Sequence, residues 1–114
     1  MATLKRKRLS ESNAPIATGT TSTTYHTVTT ETADYEEIWL WASNIHTAAL
    51  VLTIEWTAAG TSNEMHVTIQ PDETVLVVPG WTIQGQSGPL TVKGKTTVAA
   101  KINVTGHVNW FDDA

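Results

Sequence analysis

The stretch EEIWLWASN, residues 36–44, decides the fold of this chain. Side chains of a β-strand alternate between the two faces of a sheet, so three aliphatic residues of this stretch share one face. They are Ile38, Leu40 and Ala42. Trp39 and Trp41 lie on the opposite face, where two large apolar rings are not expected to face water without reason. The pattern predicts a central strand whose second face is covered by a sheet, by the N-terminal segment, by another chain or by a ligand.

Short β-like segments continue on both sides of this stretch from residue 22 onward. Apolar and polar residues alternate in Leu50–Thr57 and again in 102–110, whereas 74–78 is a continuous apolar run that favours a strand buried on both faces. A further short segment, 97–101, is also β-like, and turn residues separate the segments. The apolar spacing of three or four residues that indicates a helix is absent from 22–114. We predict an all-β domain, a single antiparallel β-sandwich or small barrel of about seven or eight strands with a jelly-roll-like winding.

The charge of the chain is unevenly distributed. Its net charge is −4, but residues 9–114 contain three basic and eleven acidic side chains and so carry −8. The other four basic residues form one run, Lys5, Arg6, Lys7 and Arg8. Small and hydroxyl residues dominate positions 1–21, which Pro15 and Gly19 interrupt. We predict an extended basic N-terminal arm over 1–21 and a β-sandwich domain over 22–114.

The basic run has several interpretations. It suits a solvated terminus, contact with nucleic acid, or contact with an acidic surface on a partner or on a neighbouring copy. The acidic body disfavours nucleic acid as a specific partner, because duplex binding depends on neutralising phosphates. We expect the arm to contact a partner protein through five residues. They are Lys5, Arg6, Lys7, Arg8 and Leu9.

The residues that carry chemistry in enzymes form no recognisable constellation. The chain has no cysteine, which excludes disulfides and thiolate metal ligands. Its four histidines are far apart, without the spacing of a metal motif, and its carboxylates suit solvated turns better than an acid–base pair. We predict no enzymatic activity, no catalytic residue, no metal and no cofactor. The absence of a secretory signal or a bilayer-length apolar run predicts a soluble protein, made in the cytoplasm, without a membrane partner.

The five tryptophans are the features most indicative of binding. Trp56 and Trp110 keep the phase of core residues, so we expect them in the core or at its edge. Trp39, Trp41 and Trp81 are candidates for a subunit interface, where aromatic residues concentrate. Exposed rings also stack on sugars, and a carbohydrate-binding module for host attachment is the alternative from a different class. For Trp39 and Trp41 we expect a protein to be the cover.

Five stretches of the sequence together resemble a known group of proteins. They are LKRKRLSES at 4–12, EEIWLWASN at 36–44, LTIEW at 52–56, VLVVPG at 75–80 and GHVN at 106–109. In this order they are similar to small virion structural proteins of tailed bacteriophages, and the similarity covers nearly the whole chain. It implies a structural protein of the virion with no catalytic residue.

Within such a particle, a small acidic β-domain with a basic arm suits a capsid decoration, or cement, protein. The domain would bind over joints between subunits of the major capsid protein, and the arm would reach a neighbour, so that many weak contacts add through avidity. We expect the major capsid protein and copies of this chain as partners, a homo-oligomer with a trimer favoured, and a location in the capsid after synthesis in the host bacterial cytoplasm. A head-to-tail connector or a tail structural protein is the alternative within this class.

Overall fold

A computed structural model describes residues 3–11, 15–58 and 61–112 of the protein. Nine strands occur in these ranges: β1 Thr3–Arg8, β2 Ile16–Ala17, β3 Thr23–Thr27, β4 Tyr35–Asn44, β5 Leu50–Thr57, β6 Glu64–Ile69, β7 Thr74–Gln84, β8 Thr91–Lys95 and β9 Ile102–Asp112. The only helical element among the described residues is the short 3₁₀ turn Thr61–Asn63. The protein is therefore all-β, as the alternation in its sequence predicts.

The strands form two antiparallel sheets. Sheet A has the order β1-β9-β4-β7, with β2 also paired to β9, and sheet B has the order β3-β8-β5-β6. The pairing is nested, because β5 pairs with β6, β4 with β7, β3 with β8 and β1 with β9. The chain is thus one long hairpin, rolled so that β4 also pairs with β9 and β5 with β8. This winding is that of a double-sheet jelly roll.

The core lies between the inner faces of the two sheets. Ile38, Leu40 and Ala42 of β4 are fully buried there against Leu52 and Ile54 of β5. The predicted inward face of the stretch 36–44 is confirmed. Burial of such aliphatic side chains stabilises a fold by about 1.5–3 kcal/mol each, so this two-layer core is the main source of stability.

One polar side chain within the core is Tyr25 of β3, which is fully buried. Its hydroxyl pairs with the Thr18 hydroxyl at 2.7 Å, so the phenol has a hydrogen-bond partner inside the sandwich. Burial raises the pKa of Tyr25 to about 12. Gly94 of β8 lies directly against this ring, since a Cβ at Gly94 would approach the Tyr25 hydroxyl oxygen to 2.3 Å. The small residue at 94 therefore makes the space that the tyrosine occupies.

Two segments differ from the strand pattern that the sequence predicts. β7 continues through Pro79 and Gly80 instead of ending there, because it is an edge strand of sheet A, where proline is tolerated, and because register shifts absorb the irregularity. The prediction that 74–78 is buried on both faces is wrong, since this edge strand leaves Leu76 39% exposed. Residues 97–101 form turns instead of a strand. There the backbone of Ala100 is left-handed, at φ 61°, and its N–H donates to the Thr18 carbonyl oxygen at 3.0 Å.

The described part of residues 1–21 is built into sheet A. β1 pairs with β9 over six residues, from Thr3 opposite Asp112 to Arg8 opposite His107, and β2 adds two more pairs on the same side of β9. These are the strands beyond the predicted seven or eight. The division into an arm and a separate domain stays a prediction, but β1 is the partner of the last strand of the jelly roll.

Candidate functional site

The outer face of sheet A, opposite the core, carries the most distinctive group of side chains in the described residues. β9 lies between β1 and β4, and the register places His107 beside Trp39 on one side and Arg8 on the other. One step along the strands, Asn109 lies beside Glu37 and Arg6. Three strands that are distant in sequence therefore bring two adjacent rows of side chains together on one face.

The first group is the aromatic platform, formed by Trp39, Trp41 and His107. The ring centroids of Trp39 and Trp41 are 6.2 Å apart, those of Trp39 and His107 6.1 Å and those of Trp41 and His107 5.7 Å. Their planes are inclined to one another by only 13° to 32°. Three half-buried rings of similar orientation thus form one aromatic cluster on this face.

The backbone beneath Trp39 fixes the position of this ring. Gly80 of β7 has φ 74°, in the left-handed region, and a Cβ at this position would approach the Trp39 ring to 2.6 Å. Glycine is therefore required twice, for the backbone conformation and for the close approach. The indole lies against the sheet and cannot move toward it.

His107 takes part in the platform as a neutral ring at pH 7. Burial and, next, the nearby positive charge of Arg6 lower the pKa of His107 below its ordinary 6.5, and the opposing effect of Glu37 is smaller. An uncharged imidazole packs against indole rings as an aromatic group and needs no oppositely charged partner.

The second group is the polar row, formed by Arg6, Glu37 and Asn109. Arg6 Nε donates to Asn109 Oδ1 at 3.2 Å, and Asn109 Nδ2 donates to Glu37 Oε1 at 2.8 Å. Trp39 Nε1 donates to the same Oε1 at 2.6 Å, which links the row to the aromatic platform. Hydrogen bonds from Trp39 and Asn109 lower the pKa of Glu37, so its carboxylate is charged at neutral pH.

The polar row retains free hydrogen-bonding capacity. Among the described residues no donor reaches Oε2 of Glu37, and Asn109 Nδ2 has a second proton beyond the one given to Glu37. Toward the residues that the structure describes, Arg6 donates only through its Nε–H, so its two NH₂ groups meet no described acceptor. The face therefore offers an acceptor and several donors, held in place by one another, beside the aromatic platform.

A separate cluster attaches β1 to the body from the inner side. Glu36 is fully buried, and its two carboxylate oxygens each lie 2.6 Å from a basic group, Oε1 from His26 Nε2 and Oε2 from Lys7 Nζ. The Ser10 backbone N–H donates to His26 Nδ1 at 3.0 Å, so the proton of the ring lies on Nε2 and is donated to Glu36. Burial alone would raise the pKa of Glu36, but the hydrogen bonds from His26 and Lys7 and the positive charge of Lys7 together lower it.

The predicted arm residues therefore differ in what surface they present. Leu9 is only 2% exposed and lies in the core of this chain, so little of it remains for a partner. Lys7 forms an ion pair with Glu36, and Lys5 forms one with Asp112 at 2.9 Å. Both ammonium groups also lie within 5.0 Å of the centre of the Trp110 ring. Arg8 is exposed and forms no hydrogen bond or ion pair with any residue that the structure describes.

Trp81, the third interface candidate, lies apart from Trp39 and Trp41. It packs edge-on against Trp56 with a centroid distance of 5.2 Å, and both rings contact the core. The structure thus brings Trp39 and Trp41 together on the outer face of sheet A and places Trp81 between the sheets. Whether any of the three contacts a partner stays a prediction.

The outer face of sheet B carries a second, shallower feature. A depression of about 540 Å³ is lined mainly by threonine side chains with Val51, His66 and Lys95. Glu64 lies 3.3 Å from His66 and 3.4 Å from Lys95, so these polar side chains are directed mainly at one another. No cluster of aromatic rings like that of sheet A is formed by the described residues of this face.

The described residues form neither a cluster of potential metal ligands nor a helix that could span a membrane. Within 3–11, 15–58 and 61–112, no three His, Cys, Asp or Glu side chains are grouped to hold a metal ion. No helix in these ranges is long and apolar enough to cross a bilayer.

Comparisons with known proteins do not assign the chain to a family, since no family model, no curated protein and no solved structure matches it.

Sequence reasoning found Trp39 and Trp41 of this site but singled out neither Glu37 nor His107 and Asn109. Alternation places Glu37 with Trp39 and Trp41, and places His107 with Asn109. It did not bring the two sets together, because the pairing of β4 with β9 joins residues about 70 positions apart and no local signal specifies it. The contribution of Arg6 to this face was also missed. Residues 3–8 lack the apolar alternation of a strand, so nothing in their sequence predicts that they pair with β9.

Proposed function

We propose that this chain is a structural component of a tailed-phage virion, a capsid decoration protein that binds over joints between major capsid protein subunits and stabilises the shell. The similarity of its sequence to small virion proteins motivates the proposal. The structural observation that carries it is a basic edge strand on an acidic jelly roll. Since β1 ends sheet A, this edge is available to a neighbouring protein.

The edge keeps its basic character despite the internal contacts of β1. Arg8 has no partner among the described residues, Arg6 uses one of its donors, and the Lys5 side chain is 50% exposed. Charged side chains on an edge strand disfavour uncontrolled strand pairing. They also favour a partner surface of opposite charge.

The acidic body supplies such a surface on every other copy of the chain. Residues 9–114 carry a net charge of −8, so the basic edge of one copy is complementary to the body of the next, or to an acidic region of the shell. Exposed ion pairs contribute only about 0–1 kcal/mol each, so a single edge contact is weak. Repetition around a symmetric joint, with a trimer as the proposed oligomer, gives firm attachment through avidity.

Cryo-electron microscopy of the particle tests the proposal directly. We expect density for the jelly roll on the outside of the shell, over joints between capsid subunits, with β1 at a contact. Finding the chain only in the neck or tail would replace this role with that of a connector or tail protein. Absence of the chain from purified virions would reject a structural role altogether.

A charge reversal at the edge tests the proposed contact. Arg8→Glu changes an exposed side chain without internal partners, so we expect an intact fold and attachment to shells weakened at least tenfold. Lys101→Glu makes the same change of charge away from the edge and is the matched control. Attachment of the wild type should also weaken above about 0.15 M salt, where the screening length is roughly 8 Å. Equal binding by Arg8→Glu and the wild type, measured by co-sedimentation with shells, would contradict the edge contact.

A further inference from the structure

We propose that the outer face of sheet A binds a neutral oligosaccharide, with pyranose rings on the aromatic platform and hydroxyl groups on the polar row. This binding does not need the proposed edge contact. If the chain is a decoration protein, this face puts a glycan-binding surface on the outside of the particle.

The aromatic platform matches the apolar side of a sugar. One side of a pyranose ring with equatorial hydroxyls presents mainly C–H groups, which carry partial positive charge, whereas the face of an indole carries partial negative charge. Trp39, Trp41 and neutral His107 bring three half-buried rings of similar orientation together, with centroids 5.7 to 6.2 Å apart. An oligosaccharide can contact several of these rings at once, which favours it over a monosaccharide.

The platform is ordered before any ligand arrives. Trp39 is held from below by Gly80 and from the side by its hydrogen bond to Glu37. Ordered side chains lose little conformational entropy on binding, so weak stacking contacts retain more of their favourable free energy.

The polar row matches the hydroxyl groups at the rim of a sugar. A hydroxyl both donates and accepts a hydrogen bond, and Glu37 Oε2 and Asn109 Nδ2 provide an acceptor and a donor next to each other. The NH₂ groups of Arg6 add donors at the far end of the row. These carboxylate, amide and guanidinium groups are planar and hold one another in place. They therefore fix the directions of the hydrogen bonds to the sugar, which makes the binding specific as well as favourable.

The charges on this face favour a sugar over a protein as the occupant. β1 lies beside β9 in the sheet, so the described part of the N-terminal segment does not cover the platform. A protein packed on the platform would also desolvate the Glu37 carboxylate and the Arg6 guanidinium, which is unfavourable unless each finds a charged partner. An oligosaccharide leaves these groups wet and satisfies them with hydroxyls.

The test uses the purified full-length chain. It is applied to an array of bacterial surface polysaccharides, and cellohexaose and chitohexaose are titrated by isothermal calorimetry as soluble neutral probes. We expect binding to at least one neutral glycan. Trp39→Ala and Trp41→Ala should each lower the affinity for it at least tenfold, and Glu37→Gln roughly threefold to tenfold.

Two controls keep the result interpretable. His66→Ala on the outer face of sheet B is matched to His107→Ala on the platform, and only the second should weaken binding. Trp39→Phe preserves a ring in case Trp39→Ala fails to fold, and it should retain intermediate affinity in a protein whose thermal unfolding is otherwise unchanged.

Several outcomes would overturn the proposal. The first is that no glycan on the array and neither soluble probe binds. The second is that Trp39→Phe, His107→Ala and Glu37→Gln all leave glycan binding unchanged. The third is a particle map in which a protein subunit covers the platform. Because the glycan measurements need only the purified chain, their failure is distinct from failure of the virion role, which absence from virions would show.

Discussion

Glu36 and Glu37 are adjacent in β4, yet they occupy opposite environments. Glu36 points inward, is fully buried and is held by Lys7 and His26. Glu37 points outward, has one oxygen held by Trp39 and Asn109, and keeps the other free of donors among the described residues. The same acidic side chain is thus a structural link on one face of the strand and part of an open polar row on the other.

The difference shows how one strand can serve stability and recognition separately. The inner face of β4 is closed, because its apolar residues meet sheet B and its carboxylate meets two basic groups. The outer face is ordered, because its rings contact one another, and no layer formed by the described residues covers it. Changes on the inner face should therefore affect stability, and changes on the outer face should affect binding.

The largest expected effect comes from removing the buried carboxylate. Glu36→Ala leaves Lys7 and His26 without their common acceptor, and loss of one partner from a buried ion pair lowers the free energy of unfolding by about 3 kcal/mol. Glu37→Ala should change it by less than about 1 kcal/mol, because the polar row is partly exposed. Urea unfolding followed by tryptophan fluorescence measures both, and equal losses would remove the distinction between the two faces.

A smaller effect is expected from the glycine beneath the platform. Gly80→Ala puts a Cβ where the Trp39 ring lies and forces alanine into a left-handed conformation, which alone costs about 1–2 kcal/mol. Gly88→Ala is the control, since a Cβ there meets nothing within 4 Å and Gly88 has no positive φ. Thermal unfolding and glycan binding should both weaken for Gly80→Ala and stay unchanged for Gly88→Ala. A Gly80→Ala protein that keeps both properties would show that Trp39 is not held as described.

The smallest of these effects concerns pH. The folded pKa of Glu36 lies below its ordinary 4.5, so the folded state favours the charged form. Its contribution to stability is present above pH 4.5 and is lost as pH falls through the folded pKa. Glu36→Gln should therefore flatten the decrease in unfolding free energy below pH 4.5, whereas Glu37→Gln should flatten it less. Parallel pH profiles for the wild type and Glu36→Gln, recorded by urea unfolding, would argue against the buried pairing.

The sequence predicted the contrast between the two faces of β4 but not the residues that complete each face. Alternation alone separates Ile38 from Trp39, because it depends only on strand geometry. The partners of Glu36 and Glu37 come from β1, β3 and β9, and strand pairing over such separations leaves no local signal.

The N-terminal segment shows the same limit. Its basic run resembles a solvated arm because an edge strand needs few apolar residues and tolerates long charged side chains. Pairing with β9, burial of Leu9 and the contact of Lys7 with Glu36 attach residues 3–9 to the jelly roll, and none of these contacts leaves a local signal in the sequence. Deleting this segment is consequently expected to destabilise the fold, so point variants such as Arg8→Glu are better tests of its contacts.

The most direct test of an open, glycan-binding outer face is a titration followed through the indole N–H resonances of the ¹⁵N-labelled chain. Trp39 and Trp41 lie on the platform, whereas Trp56 and Trp81 pack against each other beside the core. With a glycan selected from the array, we predict that the resonances of Trp39 and Trp41 shift in a saturable manner while those of Trp56 and Trp81 stay in place. Unshifted Trp39 and Trp41 resonances, or equal shifts for all four tryptophans, would contradict the account.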